Sequence, residues 1–505
     1  MRLAKSLRSL IASVSILALA SCAPAGGPQA PPGSGSGPQT VSQRSASDQR
    51  TGDQNHPKIL AQFGGEIADE RLKAYVRNIG QRLASQTEQP NARWTFTVLD
   101  SPVVNAFALP GGYIYVTRGL VALANDEAEL ASVIGHEIGH VTAAHSAQRQ
   151  EQAGIAQLGV LGATIFGAAI GLSGPALQSV TQLGSTLGQG YVASYSRNQE
   201  FEADNLGIRY MAQSGYDPQA GSDFLANLQA ETKLQARIAG GRYNPNRVDF
   251  FASHPATAQR VSQAAAIAQR LGVEGAPRNR NRFLAAIDGM VYGDSAEQGF
   301  VRGQRFVHPK LRFEFTMPRQ FKIQNSAAKV TAAGPNGSGI IFDGDRARGG
   351  SVDAYIARVW APGIAENARV GQLSGLRRLN INGLSAAEAV LPVQTRNGVS
   401  ILRMTAIRKG DTIYRFLGVQ PQGQDGLARP MAQAARSFNA LTAQQAARER
   451  PLRIGIRTVQ RGDTVARLAD QTPFNDFKRN RFRVLNGIPT GGAVRAGDKV
   501  KLIVR

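Results

Sequence analysis

His136-Glu137-Ile138-Gly139-His140 sets two imidazoles one helical turn apart with a carboxylate between them. On an α-helix, residues i and i+4 share a face, so both rings reach the same point in space. Imidazole nitrogens at that spacing suit a borderline-soft ion such as Zn2+, and one further protein ligand leaves a fourth position open for water. Water bound to such an ion has a pKa of about 7, and Glu137 stands where a general base takes its proton. The chemistry implied is hydrolysis of a peptide bond.

The elements around this motif support the reading. Asn125 or Asp126 caps a helix and Glu129 completes a capping box. Leu130, Val133, Ile134, Val141 and Ala144 recur at helical spacing, which predicts one largely buried helix from about Asp126 to His145. Buried ionisable groups need partners, and a metal supplies one for all three. A second helix begins at Glu200-Phe201-Glu202-Ala203-Asp204, with Glu200 and Asp204 on one face. One of these carboxylates can ligate the metal while the other fixes the tautomer of a ligating imidazole. A longer pattern with a third His six residues after His140 is excluded, because Ser146 stands there. His145 falls one residue early and is expected to point away from the metal and to bond within the helix pair.

Together these residues resemble a family of zinc metallopeptidases. The family includes a heat-shock membrane protease, the CAAX prenyl endopeptidases and, nearest in pattern, a periplasmic protease that maintains outer-membrane assembly. Asn105–Val116, Ser196-Arg197, and Ser253-His254-Pro255 with Arg260 fit the same family, over roughly residues 58–270. The resemblance implies His136, His140 and Glu200 as ligands of one zinc per chain. It further implies Glu137 as catalytic base and Asp204 as the group behind a ligand. His254 is implied to approach the open zinc position; in the expected mechanism Arg260 or His254 helps to stabilise the tetrahedral oxyanion.

Val103–Leu109 and Tyr113–Val116 are β-prone runs flanking the turn Pro110-Gly111-Gly112. An edge strand at Asn105, Ala106 and Phe107 would let an extended substrate pair by its main chain, which favours broad recognition of unfolded chains.

Arg2, Lys5 and Arg8 precede a short apolar stretch, Leu10–Ala20, and Leu19-Ala20-Ser21-Cys22 matches a bacterial lipobox. Cys22 is the only cysteine, so no internal disulfide exists. Residues 1–21 are therefore expected to be a lipoprotein signal, with Cys22 acylated as a membrane anchor. Residues 22–57, rich in Gly, Pro, Ser and Gln, are expected to be a flexible tether. The run Gln152–Ser196 carries no charged residue. Its many Gly and its Gln residues weaken it as a membrane span, and it is expected to pack over the site or dip into a membrane surface.

Charge is uneven. The net of +22 comes from 58 basic and 36 acidic residues, and residues 271–505 hold 37 basic against 17 acidic. An exported chain of this kind meets anionic lipid and cell-wall polymer, and no aromatic-basic platform for nucleic acid is present. Residues 300–442 alternate β-prone runs with two helical stretches. Residues 456–505 resemble a LysM module of βααβ order, a family that binds glycans such as peptidoglycan.

The whole reads as an α+β chain. A mainly helical, gluzincin-type zinc protease domain with a small sheet spans 58–275; an α+β domain and the LysM-like module follow. The expected activity is zinc-dependent cleavage of unfolded or misassembled envelope proteins at the periplasmic face of the outer membrane. The rival is a non-catalytic or latent envelope chaperone that grips peptidoglycan through its tail.

Overall fold

The computed structural model describes residues 46–145, 195–240, 254 and 257–505, apart from 274, 348, 367 and 396–397. Cys22 and its lipobox, residues 22–45 of the tether, and Gln152–Gly190 with the next four residues lie outside this set. No helix among the described residues is long and apolar enough to cross a membrane.

The expected tether is corrected from Ala46 onward, where helix α1 runs Ala46–Phe63. Composition hid it, because tertiary packing rather than propensity holds this helix. Ile59 and Phe63 bury against Leu99, Phe107 and Tyr115. Gly52 sets the approach: a Cβ there would lie 2.5 Å from the Pro110 carbonyl oxygen and from the Tyr113 ring.

Helix α2, Glu70–Ala84, is capped by Asp69, whose carboxylate accepts from the Arg71 and Leu72 amides. Leu72, Val76, Ile79 and Leu83 form its buried stripe. Strands β1 (Thr95–Leu99), β2 (Ala106–Leu109) and β3 (Tyr113–Thr117) make a sheet of order β1-β3-β2. β1 runs parallel to β3 and β2 antiparallel to it. Both Gly111 and Gly112 take φ near +85° in the connecting turn, where a side chain would be strained. β2 is thus an edge of the sheet, as expected.

Short helix α3, Arg118–Leu123, leads into α4, Glu127–Thr142, which is buried along almost its whole length. Helices α5 (Arg197–Gln213) and α6 (Gln219–Ile238) pack beside it, and α7 (Ala258–Leu271) packs on α5 and α6. Helix α8, Arg280–Ile287, adds Phe283, Leu284 and Ile287 to the same core, so this unit extends past the expected end at 275.

The stretch of residues 300–442 holds both strands and helices. Long antiparallel strands at Leu384–Thr395, Gly398–Lys409 and Thr412–Pro421 carry its larger sheet. Phe313, Phe315, Phe342, Phe416 and Phe438 fill its core. At the carboxy terminus the order is strand Leu452–Thr458, helices Val465–Asp470 and Lys478–Leu485, and strand Lys499–Val504. This βααβ unit is fastened to the helical domain. Its first strand pairs with Val291–Tyr292, and the buried Lys501 ammonium donates to the Ala122 and Ala124 carbonyls at 2.7 and 2.6 Å. Those carbonyls are the open end of α3, just ahead of α4.

Candidate metal centre

Three glycines let the motif helix meet α5 at backbone distance. A Cβ on Gly207 of α5 would stand 2.6 Å from the His136 amide nitrogen. One on Gly135 would meet the Gly207 carbonyl at 2.9 Å, and one on Gly139 the Ala203 carbonyl at 3.0 Å. With no side chains between them, His136 and His140 reach across to Glu200, which lies in the first turn of α5. Ser196 starts that helix with a reciprocal capping box to Gln199. Asp126 caps α4, accepting from the Glu129 amide at 2.8 Å, while the Glu129 carboxylate accepts from the Asn125 amide rather than from Asp126.

The expected ligands converge. His140 Nε2 is 3.0 Å from His136 Nε2 and 3.5 Å from Glu200 Oε1. His136 Nε2 is 3.6 Å from Glu200 Oε2. His254 joins them, its Nδ1 3.2 Å from His136 Nε2 and 2.9 Å from Glu200 Oε1. One ligand atom from each of the four residues lies within 4.8 Å of the others. The donor set fits zinc: ligands about 2.0–2.1 Å from one tetrahedral ion stand a little over 3 Å apart. Three imidazole nitrogens facing one another also hold more lone pairs than shared protons can satisfy.

Behind the ligands lies a brace. Asp204 Oδ1 is 2.8 Å from His136 Nδ1, which leaves Nε2 facing the cluster. Arg260, near the start of α7, grips Asp204 through Nε and Nη2 at 2.7 and 2.6 Å and reaches Glu200 Oε2 through Nη1 at 2.6 Å. Its guanidinium is engaged with these carboxylates, a different place from the oxyanion role expected of it. Charge follows the geometry. Burial opposes ionisation of Glu200, yet His254 and Arg260 hold its carboxyl well below the usual range. At Asp204 burial is likewise outweighed, chiefly by Arg260. Burial pushes the His140 imidazole well down, which keeps it neutral, the form that binds metal. At His254, Glu200 and Glu137 outweigh burial and push the ring's pKa up; a cation in the cluster would reverse that sense.

Glu137 is buried beside the cluster, with Oε1 3.5 Å from His254 Nε2. Its Oε2 has no hydrogen-bond partner among the described residues. Asn105 and Ala106 line the cavity in front of it. The Phe107 side chain instead turns into the core, its ring 5.3 Å from Phe63 and 4.8 Å from Tyr115.

Two features were missed in the sequence. The predicted helix to His145 ends at Thr142, and Ala144 takes φ 54°, which turns the chain back. His145 therefore meets His140, Nδ1 to Nδ1 at 2.9 Å, while its Nε2 lies 3.2 Å from Glu202 Oε2. Tyr195 stacks on His140 with ring centroids 3.7 Å apart. It sits at the end of the charge-free run, and only its closeness to the Ser196-Arg197 pair marked it.

Residues 70–268 match the profile of Peptidase family M48, so the chain carries an M48 peptidase domain. Over 202 residues it is 32% identical to the beta-barrel assembly-enhancing protease of Yersinia pestis, covering 39% of each chain. It is 31% identical over 258 residues to the putative beta-barrel assembly-enhancing protease of Vibrio cholerae, covering 49% of this chain and 50% of that one. A mitochondrial metalloendopeptidase OMA1 of Schizosaccharomyces pombe is 26% identical over 219 residues, covering 42% of this chain and 59% of its own. The chain thus spans well under two thirds of the length of these relatives.

Proposed function

We propose that the chain is a zinc-dependent metalloendopeptidase of the bacterial cell envelope that cleaves unfolded or misassembled envelope proteins. One observation carries this reading: the donors of His136, His140, Glu200 and His254 converge within 4.8 Å, with the Glu137 carboxylate beside them. Zinc held there supplies a Lewis acid for the scissile carbonyl and for water. Glu137 takes the proton of the attacking water and delivers it to the leaving amine. Asp204 fixes the His136 tautomer, and Arg260 keeps Asp204 and Glu200 ionised and aimed. The free edge of β2 at Asn105 and Ala106 holds an extended substrate by its main chain.

A latent resting state is favoured by the place of His254 among the ligands, where it occupies the approach that substrate must use. The names of the bacterial relatives agree with a role in envelope assembly. We assign the anchor to acylated Cys22 and the location to the periplasmic face of the outer membrane. Labelled fatty acid should enter the wild type and not Cys22→Ser. The basic βααβ unit is assigned to peptidoglycan; pull-down on purified cell wall tests it, and equal recovery without residues 456–505 would remove that assignment.

The direct assay is cleavage of an unfolded test protein. The wild type should degrade it, and Glu137→Gln should lose about 10²–10⁴ in rate or more. Equal rates in the two proteins would end the proposed mechanism.

A further inference from the structure

A cavity of about 60 Å3 opens beside Glu137, reaching His136, His254 and Arg260 on one side. Its other walls are mainly apolar and come from five elements: Ala106 of β2, Leu120 of α3, Val133 of α4, Ile208 of α5, and Phe224, Leu225 and Leu228 of α6. Two of the polar groups at its rim are already committed, while Glu137 Oε2 and His254 Nε2 have no hydrogen-bond partner among the described residues. The Ser132 hydroxyl donates to the Glu129 carbonyl at 2.7 Å, and the Arg260 guanidinium serves Glu200 and Asp204. An acidic side chain entering here would find no unengaged cation among the described residues. A basic one would be drawn to Glu137 and disable the base. Either would pay the cost of an ill-paired buried charge.

We propose that this cavity is a specificity pocket for a medium-sized aliphatic side chain of the substrate, from one of the two residues flanking the scissile bond. The inference rests on the peptidase reading of the metal centre and narrows it to a substrate class. Size sets the upper limit. At roughly 10–15 Å3 per water position the cavity holds about four to six such sites. The four side-chain carbons of Leu or Ile fill that space, and the indole of Trp exceeds it. Position ties the pocket to the reaction, because Ala106 belongs both to its wall and to the edge strand that pairs with substrate. A side chain leaving the paired main chain at that point drops into the pocket and sets the register of the peptide against Glu137.

Gly221, in the first turn of α6, forms part of the wall. A Cβ added there would meet Ile208 Cγ1 at 3.4 Å and Ser132 Cβ at 3.6 Å, ordinary contacts that displace nothing. Gly221→Ala therefore folds, gains helix propensity, and takes one methyl of space from the pocket. In a hydrophobic pocket one such group changes discrimination by about 10–200-fold.

The test is cleavage of a mixed unfolded peptide library by zinc-loaded protein, with cut sites read by mass spectrometry. Leu, Ile, Val and Met should be enriched at one flanking position about tenfold or more over charged residues and Trp. Gly221→Ala should lower the Leu-to-Ala ratio at that position by about tenfold or more. Cutting without flanking preference, or a preference that Gly221→Ala leaves unmoved, overturns the pocket. A second measurement is independent of turnover: binding of the hydroxamates of leucine, aspartate and tryptophan to the zinc-loaded protein. The leucine compound should bind about tenfold tighter or more, and equal binding overturns the pocket. Failure to cut any peptide while leucine hydroxamate binds selectively would count against the peptidase reading and leave the pocket standing.

Discussion

His145 Nδ1 stands 2.9 Å from His140 Nδ1, and this contact orders every proton along a chain that ends at the surface. His140 turns Nε2 toward the ligand cluster, so its Nδ1 carries the hydrogen and donates it. His145 must then accept at Nδ1, carry its own hydrogen on Nε2, and donate to Glu202 Oε2 at 3.2 Å. The two ligating imidazoles are thus oriented differently, His136 by a carboxylate directly and His140 through a second imidazole. Loss of such an outer partner costs about 10–100-fold in metal affinity. His145→Ala should weaken zinc binding by that amount in a chelator competition, and Glu202→Gln should do so to a smaller degree. Unchanged affinity in both variants would show that the chain orders nothing.

Close approach of two helices gives the next prediction. Gly207→Ala puts a methyl 2.6 Å from the His136 amide, so α5 must retreat and carry Glu200 with it. Overpacking of this kind costs about 1–3 kcal/mol. Urea unfolding should show that loss, and zinc titration should show weaker binding. A variant as stable and as tight as the wild type would refute the packing argument.

His254 lies among the ligand atoms, and the proposed latent state has it block the approach of substrate. His254→Ala, with zinc content unchanged, should raise cleavage of an unfolded substrate. A fall in rate with the metal intact would instead make this ring a stabiliser of the transition state.

The second α+β unit should respond to acid through His308. This ring is 8% exposed, accepts the Leu311 amide at Nδ1 over 3.3 Å, and is pushed down to about 4 by burial. Between pH 6.5 and 4 an unfolded chain takes up the proton and the folded one does not. Stability is therefore complete above that window and falls as pH drops through it, by about 3 kcal/mol in all. His308→Gln should flatten the slope of unfolding free energy over this range. Parallel slopes in the two proteins would assign the acid response elsewhere.

The sequence made part of this legible because the local signals were strong. His136, Glu137, His140, Glu200 and Asp204 are spaced by helical geometry alone, and the structure brings them together with His254. Helix α1 was not legible: its mean pattern is polar, and its order comes from Ile59 and Phe63 meeting residues far along the chain. The docking of the βααβ unit depends on Lys501 reaching carbonyls near residue 123, which no local pattern announces. The end of the motif helix was misread, because the left-handed residue Ala144 follows its last turn at Thr142, while His145 bonds to Glu202 of the facing helix and stays out of the ligand group. Gly135, Gly139 and Gly207 carried a signal that was available, small residues a turn apart in the motif helix and one at the matching level of α5.

Metal analysis of the purified protein tests the central claim most directly. The account predicts about one zinc per chain in the wild type and in Glu137→Gln, with hydrolysis lost only in the latter. It predicts loss of the zinc in His140→Ala and Glu200→Ala. Full zinc in Glu200→Ala would contradict the ligand set drawn here and move the third ligand elsewhere, His254 first.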